Sequence, residues 1–253
     1  MSPPMPCREL CGVLEKAYAP KGNRCPCGLL WDPKRGDIPR GFLGATGRVE
    51  DVRLVLVKAE PGPAGDYGEQ ESYGKKAKME PSDWIAEACS QSYYRLSKVA
   101  PFNPATDKRP VHHACMRYIL NVCWPDLTTL DQQLERTWIT ESVLCSPLPK
   151  DGKRDAHADI DDDIARRCRE NHLEEQLRQL RRPAIVAPLG GKARRRMEGL
   201  RVEGVTVIKG DIYAATPRSF VPNTRHGETN EQRLAKVVAS WKRIAAELRT
   251  VGC

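Results

Sequence analysis

No apolar run in this chain approaches the length needed to cross a bilayer. The first residues, MSPPMPCREL, lack the apolar centre of a secretory signal. No segment repeats at a fixed period. These absences set aside membrane spans and solenoids. They lead us to expect a protein that is not exported, works in the cytoplasm and is monomeric. The ten cysteines are then not expected to form a disulfide framework. Buried thiols, metal or cluster ligands, or a mixture of these are the alternatives.

What is present is a chain of 253 residues with ordinary hydrophobic and charged fractions and a net charge of +8. That length holds one large α/β domain or two small ones. The positive excess is clustered at Arg166-Arg167, Arg181-Arg182, Lys192–Arg196 and the tail from Arg225 to Arg249. Clustering beside loops that look like site loops favours an anionic partner, DNA before any other.

Four runs read as strands, the first of them near-continuously apolar as in a central parallel strand. They are Arg53–Lys58, Trp138–Leu144, Ala184–Leu189 and the short Val205–Ile208. Helical spacing fills the intervals. Ser82 is expected to cap a helix reaching Val99, and further helices are expected over 112–122, 127–136 and 229–250. Ile164, Cys168, Leu173, Leu177 and Leu180 mark one face of another. Strands separated by helices give a central four-stranded parallel sheet in a three-layer α/β/α sandwich. Residues 1–50, rich in Pro, Gly, Cys and charge, are expected to form an irregular cap, and 51–253 the α/β/α domain. Parallel strands put the loops 58–74, 145–163, 189–196 and 211–228 along one rim, where such folds build their sites. Gly190-Gly191 opens a helix followed by Lys192 and Arg194–Arg196. Exposed N–H groups and positive charge there suit phosphate.

The order of these segments resembles the uracil-DNA glycosylase superfamily, and within it the branch that carries an iron–sulfur cluster. The resemblance runs over roughly residues 50 to 250. It rests on Lys58-Ala-Glu-Pro-Gly62, on Ile139-Thr-Glu-Ser-Val-Leu-Cys-Ser-Pro147, on the helix bearing Cys168, and on Ile185-Val-Ala-Pro-Leu-Gly-Gly-Lys-Ala193. It implies a DNA glycosylase that flips a deaminated or damaged base, uracil or a related one, and hydrolyses its N-glycosidic bond. Glu60, held between a strand and Pro-Gly, matches the position of the water-activating carboxylate. Tyr73, with Tyr67 as its rival, matches the aromatic that stacks on the base. Glu141 stands where the family has Asn. An ionised carboxylate accepts only, so this residue suits a base edge that presents donors, suits uracil only if protonated, or points elsewhere. Ala215–Ser219 replaces the family's His-Pro-Ser. His226 is the nearest imidazole to replace that histidine, and a phosphate contact is its other reading. Arg218 and Arg225 are candidates for the DNA backbone or the minor groove, and Gly190, Gly191 and Lys192 for the backbone.

The same resemblance implies a [4Fe–4S] cluster. Cys145 and Cys168 match two of its ligands. Cys25-Pro-Cys27 is the preferred N-terminal pair and Cys7-x3-Cys11 the alternative. A zinc site from the same thiolates is a further reading. The departures at Glu141 and at the last loop keep a second hypothesis open: a DNA-binding module on the same fold without glycosylase activity. An α/β enzyme acting on small phosphorylated ligands is a third.

Overall fold

Alternation along the central strands builds the molecule. Leu54, Leu56, Ile139, Ile185 and Ala187 face one side of the sheet, and Val55, Val57, Trp138 and Val186 face the other. All nine are buried. Each such side chain removed from water contributes roughly 1.5–3 kcal/mol. The computed structural model describes residues 5–18, 39–60, 80–108, 110–144 and 160–252.

Within them, helix α1 (Arg8–Tyr18) precedes β1 (Leu43–Gly44) and β2 (Leu54–Lys58). Helices α2 (Pro81–Ser97), α3 (His112–Cys123) and α4 (Leu130–Glu135) lead to β3 (Thr137–Glu141). The next helical stretch is α5 (Asp162–Cys168), a π turn (Arg169–Leu173) and α6 (Glu174–Arg178). Then come β4 (Ala184–Pro188), α7 (Gly191–Met197), β5 (Val205–Val207) and α8 (Asn230–Thr250).

The sheet order is β1-β3-β2-β4-β5. The four expected strands are all present and mutually parallel. The sheet is nevertheless five-stranded and not wholly parallel. Leu43 and Gly44 add an antiparallel edge strand beside β3, facing Ile139 and Trp138. Gly44 sits at φ +101, and a Cβ there would meet the Thr137 carbonyl oxygen at 2.0 Å, so only glycine lets the edge strand come this close. Residues 1–50, expected to be irregular, thus supply both a helix and this strand.

Helices cover both faces. One face carries α3, α4 and α8, through residues such as Ile119, Leu134 and Trp241. The other carries α1, most of α2, α6 and Met197 of α7. Two buried tryptophans fix this packing by hydrogen bonds as well as area. Trp138 Nε1 donates to Gln176 Oε1 at 2.9 Å, and Trp124 Nε1 donates to Thr137 Oγ1 at 2.7 Å. Helix α2 starts two residues earlier than expected, with Glu80 instead of Ser82 as N-cap and Pro81 in the first turn. Proline's fixed φ suits that position and its missing N–H costs nothing there. Helix α8 is capped as expected by Thr229, in a reciprocal box with Gln232.

The last loop is pinned over the carboxyl ends of the strands. Gly190 N donates to Ile212 O at 2.8 Å, and Trp241 Nε1 donates to Tyr213 O at 2.8 Å. Phe220 stacks edge-on against Phe102, at 5.3 Å, and against Trp241, at 5.7 Å.

Candidate functional site

Because β2 and β3 are parallel and in register, their last residues, Lys58 and Glu141, lie side by side. Lys58 Nζ stands 2.7 Å from Glu141 Oε1. Glu141 is only 2% exposed. Burial pushes its carboxyl up to about 7, against the opposing pull of Lys58. Its second oxygen, Oε2, has no hydrogen-bond partner among the described residues. Gly41, at φ +83, covers it so closely that a Cβ there would lie 2.4 Å from Oε1. The residue expected to read a base edge is therefore a buried carboxylate whose paired oxygen holds a lysine.

Lys58 faces a small cavity of ≈ 50 Å³ that His112 and His113 also line. Both histidines sit in the first turn of α3. Their imidazoles meet edge to face at 5.1 Å. Burial, then the charge of Lys58, pushes His112 down to about 3. Burial first, then Arg95 and Lys58, pushes His113 down to about 4. The exposed N–H groups of the helix start also disfavour a cation there. His112 Nδ1 lies 2.6 Å from the Ala215 carbonyl oxygen. A carbonyl only accepts, so Nδ1 carries the proton and Nε2 is left as an acceptor.

Two residues beyond Lys58 the chain reaches Glu60, 10% exposed. Helix α7 clamps it. Lys192 Nζ donates to Oε1 at 3.1 Å, and Arg196 Nη1 donates to Oε2 through a short contact. Arg196 also donates to the Ala59 carbonyl at 2.9 Å and lies 3.3 Å from Ser142 Oγ. Ser142 closes the corner, its backbone N donating to Lys58 O at 2.7 Å and its hydroxyl donating to Ala59 O. Glu60 is thus fixed by two cations and a backbone corner. Lys192, expected to meet phosphate, is committed to this carboxylate.

Gly190 N-caps α7 at φ +94 and ψ 161, a conformation essentially confined to glycine. Its added Cβ would lie 2.9 Å from Ala214 Cβ, so the turn and the last loop touch. A Cβ on Gly191 would meet only ordinary van der Waals contact, with Arg195 Nη1 at 3.8 Å.

The remaining expected residues do not gather here. His226 ends an exposed 3-10 turn, Thr224–His226, and no hydrogen bond or ion pair joins it to Glu60. Arg218 and Arg225 are exposed on the same loop. Tyr73 and Tyr67 lie outside the described residues, as do Cys25, Cys27 and Cys145. Cys168 is buried at the end of α5, against Val143, two residues before Cys145 in the chain. Cys7 and Cys11 lie one turn apart at the start of α1, half-buried. Burial and Cys7 push Cys11 up to about 11. Cys115 and Cys123, each pushed up to about 12 by burial, stay protonated and act as apolar side chains. Among the described residues no three His, Cys, Asp or Glu side chains converge as metal ligands. None of the described helices is long and apolar enough to cross a membrane.

Sequence reasoning missed Lys58, His112 and His113, and it expected Arg196 to meet phosphate where the structure pairs it with Glu60. The adjacent histidines at a helix start were the available signal. No protein-family model matches the chain, and no curated protein is significantly similar to it.

Proposed function

We propose that the carboxyl-edge site is that of a DNA glycosylase on a three-layer α/β/α scaffold. It hydrolyses the N-glycosidic bond of a deaminated base. The observation that carries this reading is the set of groups converging on one strand edge. They are a lysine held by a buried carboxylate, two neutral imidazoles beside it, and a fixed carboxylate two residues further along the same chain.

Glycosidic cleavage needs two things. The departing base takes up negative charge, and the sugar carbon C1′ takes up positive charge. Lys58 donates toward a carbonyl oxygen of the base and stabilises the first. His112 Nε2 accepts from a ring N–H. A donor beside an acceptor matches the C=O and N–H edge of an oxo base such as uracil, hypoxanthine or xanthine. Glu141 then acts through Lys58, which it orients, and does not touch the base. This differs from the base-reading role expected for it, and it removes the conflict between a carboxylate and the oxygens of uracil. The small cavity suits such an edge, with the rest of the nucleotide outside it.

Glu60 serves the sugar. Its charge stabilises the oxocarbenium-like C1′ and its oxygens orient a water. The C1′–N bond breaks, the water oxygen bonds C1′, and the water's proton ends on the departing base. The products are a free base and an abasic site. Tyr73 belongs to this reading as the stacking aromatic, and Arg218 and Arg225 as exposed cations for the DNA backbone. A [4Fe–4S] cluster held by Cys25, Cys27, Cys145 and Cys168 also belongs to it, as a structural staple. The burial of Cys168 beside Val143, close in sequence to Cys145, supports that pairing.

Oligonucleotides carrying uracil, hypoxanthine or xanthine test the reading, with abasic sites as readout. Glu60→Gln is expected to slow release by at least about 10²-fold, the scale of one lost electrostatic contact. Tight DNA binding without base release from any of the three would favour the DNA-binding module instead. The clamp of Glu60 by Lys192 and Arg196 is the feature that favours that alternative. Iron and acid-labile sulfide in anaerobically purified protein, with Cys145→Ala as control, test the cluster.

A further inference from the structure

The opposite edge of the sheet has its own pattern. Every parallel strand is entered through arginine. Arg53 precedes β2, Arg136 precedes β3, Arg181-Arg182 lead into β4 and Arg201 lies just ahead of β5. Parallel pairing collects these entries on one rim, in the order Arg136, Arg53, Arg181-Arg182, Arg201. The backbone there is stitched together. Arg53 N donates to Arg136 O at 3.0 Å, Ile185 N donates to Arg53 O at 2.8 Å, and Ala184 N donates to Gly204 O at 2.9 Å. Arg53 Nη1 lies 3.4 Å from the Pro183 carbonyl oxygen.

Acids are present on this rim, but most are already taken. Arg178 pairs with Glu174 at 3.0 Å and with Glu175, and Arg48 pairs with Asp51 at 3.0 Å and with Glu50 at 3.6 Å. Arg53, Arg136, Arg181, Arg182 and Arg201 have no ion-pair partner among the described residues. All of them except Arg53 are exposed. Glu135 and Glu203 are the acids left beside them. The Asp51 carboxyl is held below its usual range first by Arg48, with Arg182 and Arg136 adding to the effect, which agrees with their closeness. Arg181 and Arg182 also border a groove of ≈ 350 Å³ lined by Pro183, Val202, Glu203 and Gly204.

A row of cations without ion-pair partners repels itself, offset in part by Arg136 over the Trp124 ring at 5.9 Å and by Arg53 at the Pro183 carbonyl. Its geometry suits a repeating anion. Neighbouring strands lie ~4.8 Å apart, so four strand entries span about 15 Å. Phosphates of one strand recur every ~3.4 Å along a duplex axis. The cations on this rim are all arginine, whose planar fork matches a phosphate's oxygens two at a time.

We propose that this amino-terminal rim is a second nucleic-acid-binding surface, which holds the phosphodiester backbone without reading bases. It lies a strand length away from the carboxyl-edge site and does not depend on the function proposed for that site. Together the two would let the protein hold a second nucleic-acid segment, or retain one while the first edge engages a nucleotide.

The test is fluorescence anisotropy with a labelled, undamaged 30-nucleotide DNA strand and the full chain, over a range of salt. The variant is Arg181→Ala/Arg182→Ala/Arg201→Ala. The logarithmic salt slope is expected to shrink by about 2, since each lost single-strand phosphate contact is worth about 0.7. Affinity at low salt is expected to fall at least tenfold. Replacement of the same three by lysine should keep most of the slope. A readout that needs no variant is phenylglyoxal modification of the wild-type protein, followed by mass spectrometry. Bound DNA should protect Arg181, Arg182 and Arg201. An unchanged salt slope in the alanine variant, or full modification of these arginines in the presence of saturating DNA, would overturn the proposal. So would displacement of the DNA by polyglutamate at an equal concentration of charge, which would point to an acidic protein partner.

Discussion

At the scale of single residues, the site is defined by charges held in unfavourable places. Glu141 titrates near 7 instead of near 4.5 because burial disfavours its anion. Its folded-state value is raised, so its contribution to stability is complete below about pH 4.5 and is lost as pH rises toward 7. Glu60 adds to this rise, while Lys58 and Arg40 oppose it. His112 and His113 act in the other direction. Their folded values of about 3 and about 4 lie below the ordinary 6.5, so they withdraw stability as pH falls below 6.5. Between pH 4.5 and 6.5 the two histidines oppose the one carboxyl. Between 6.5 and 7 Glu141 acts alone. Urea unfolding of Glu141→Gln should therefore lack the decline that wild type shows up to pH 7, and should rise more steeply with pH from 5 to 6.5. Equal pH slopes in the two proteins would contradict this placement of Glu141. Lys58→Met strips Glu141 of its counter-ion. It should cost about 3 kcal/mol at pH 8, the scale of a broken buried pair, and less at pH 6, where Glu141 is protonated.

At the scale of elements, the turn into α7 carries the constraint. Gly190→Ala places a side chain in a glycine-only conformation and against Ala214. It should destabilise by about 2–3 kcal/mol. Gly191→Ala should be neutral, or stabilising by about 0.5 kcal/mol, because its backbone is helical and the added Cβ meets only ordinary van der Waals contact. Thermal melts of the two variants separate a conformational demand of this turn from mere tolerance of small residues. The same contrast shows what a sequence discloses. Runs such as Leu54–Val57 and Ala184–Ala187 announce themselves because parallel strands are buried on both faces. Glu60 was legible because it follows such a run directly. The two-residue β1 was not, since Leu43-Gly44 is too short for any period. Nor was the meeting of Lys58, Glu141 and His112. Residues 58 and 141 meet only through the β2–β3 register, and His112 arrives from a helix start pinned by the Ala215 carbonyl. The π turn after Cys168 was equally hidden, because the apolar face of that helix continues through it.

At the scale of the molecule, the four parallel strands sort the chemistry to two ends. The carboxyl edge gathers fixed and paired charges around a cavity. The amino edge gathers arginines of which Arg53, Arg136, Arg181, Arg182 and Arg201 have no ion-pair partner among the described residues. The net charge of +8 is therefore not evenly spread, and its two ends should respond differently to salt. Pairs such as Lys58–Glu141 are shielded from solvent and should persist at high ionic strength. Binding through the arginine rim should fade. Activity on a short substrate should accordingly depend less on salt than affinity for a long DNA does.

The central claim is that the groups at the carboxyl edge perform glycosidic hydrolysis on an oxo base. Single-turnover release of free base from a uracil-, hypoxanthine- or xanthine-containing oligonucleotide tests it most directly, comparing wild type with Glu60→Gln and Lys58→Met. Wild type is expected to release at least one of these bases, with a loss of about 10²-fold or more in each variant whose fold is intact by circular dichroism. Absence of release from all three substrates, or full activity in folded Glu60→Gln, would contradict it.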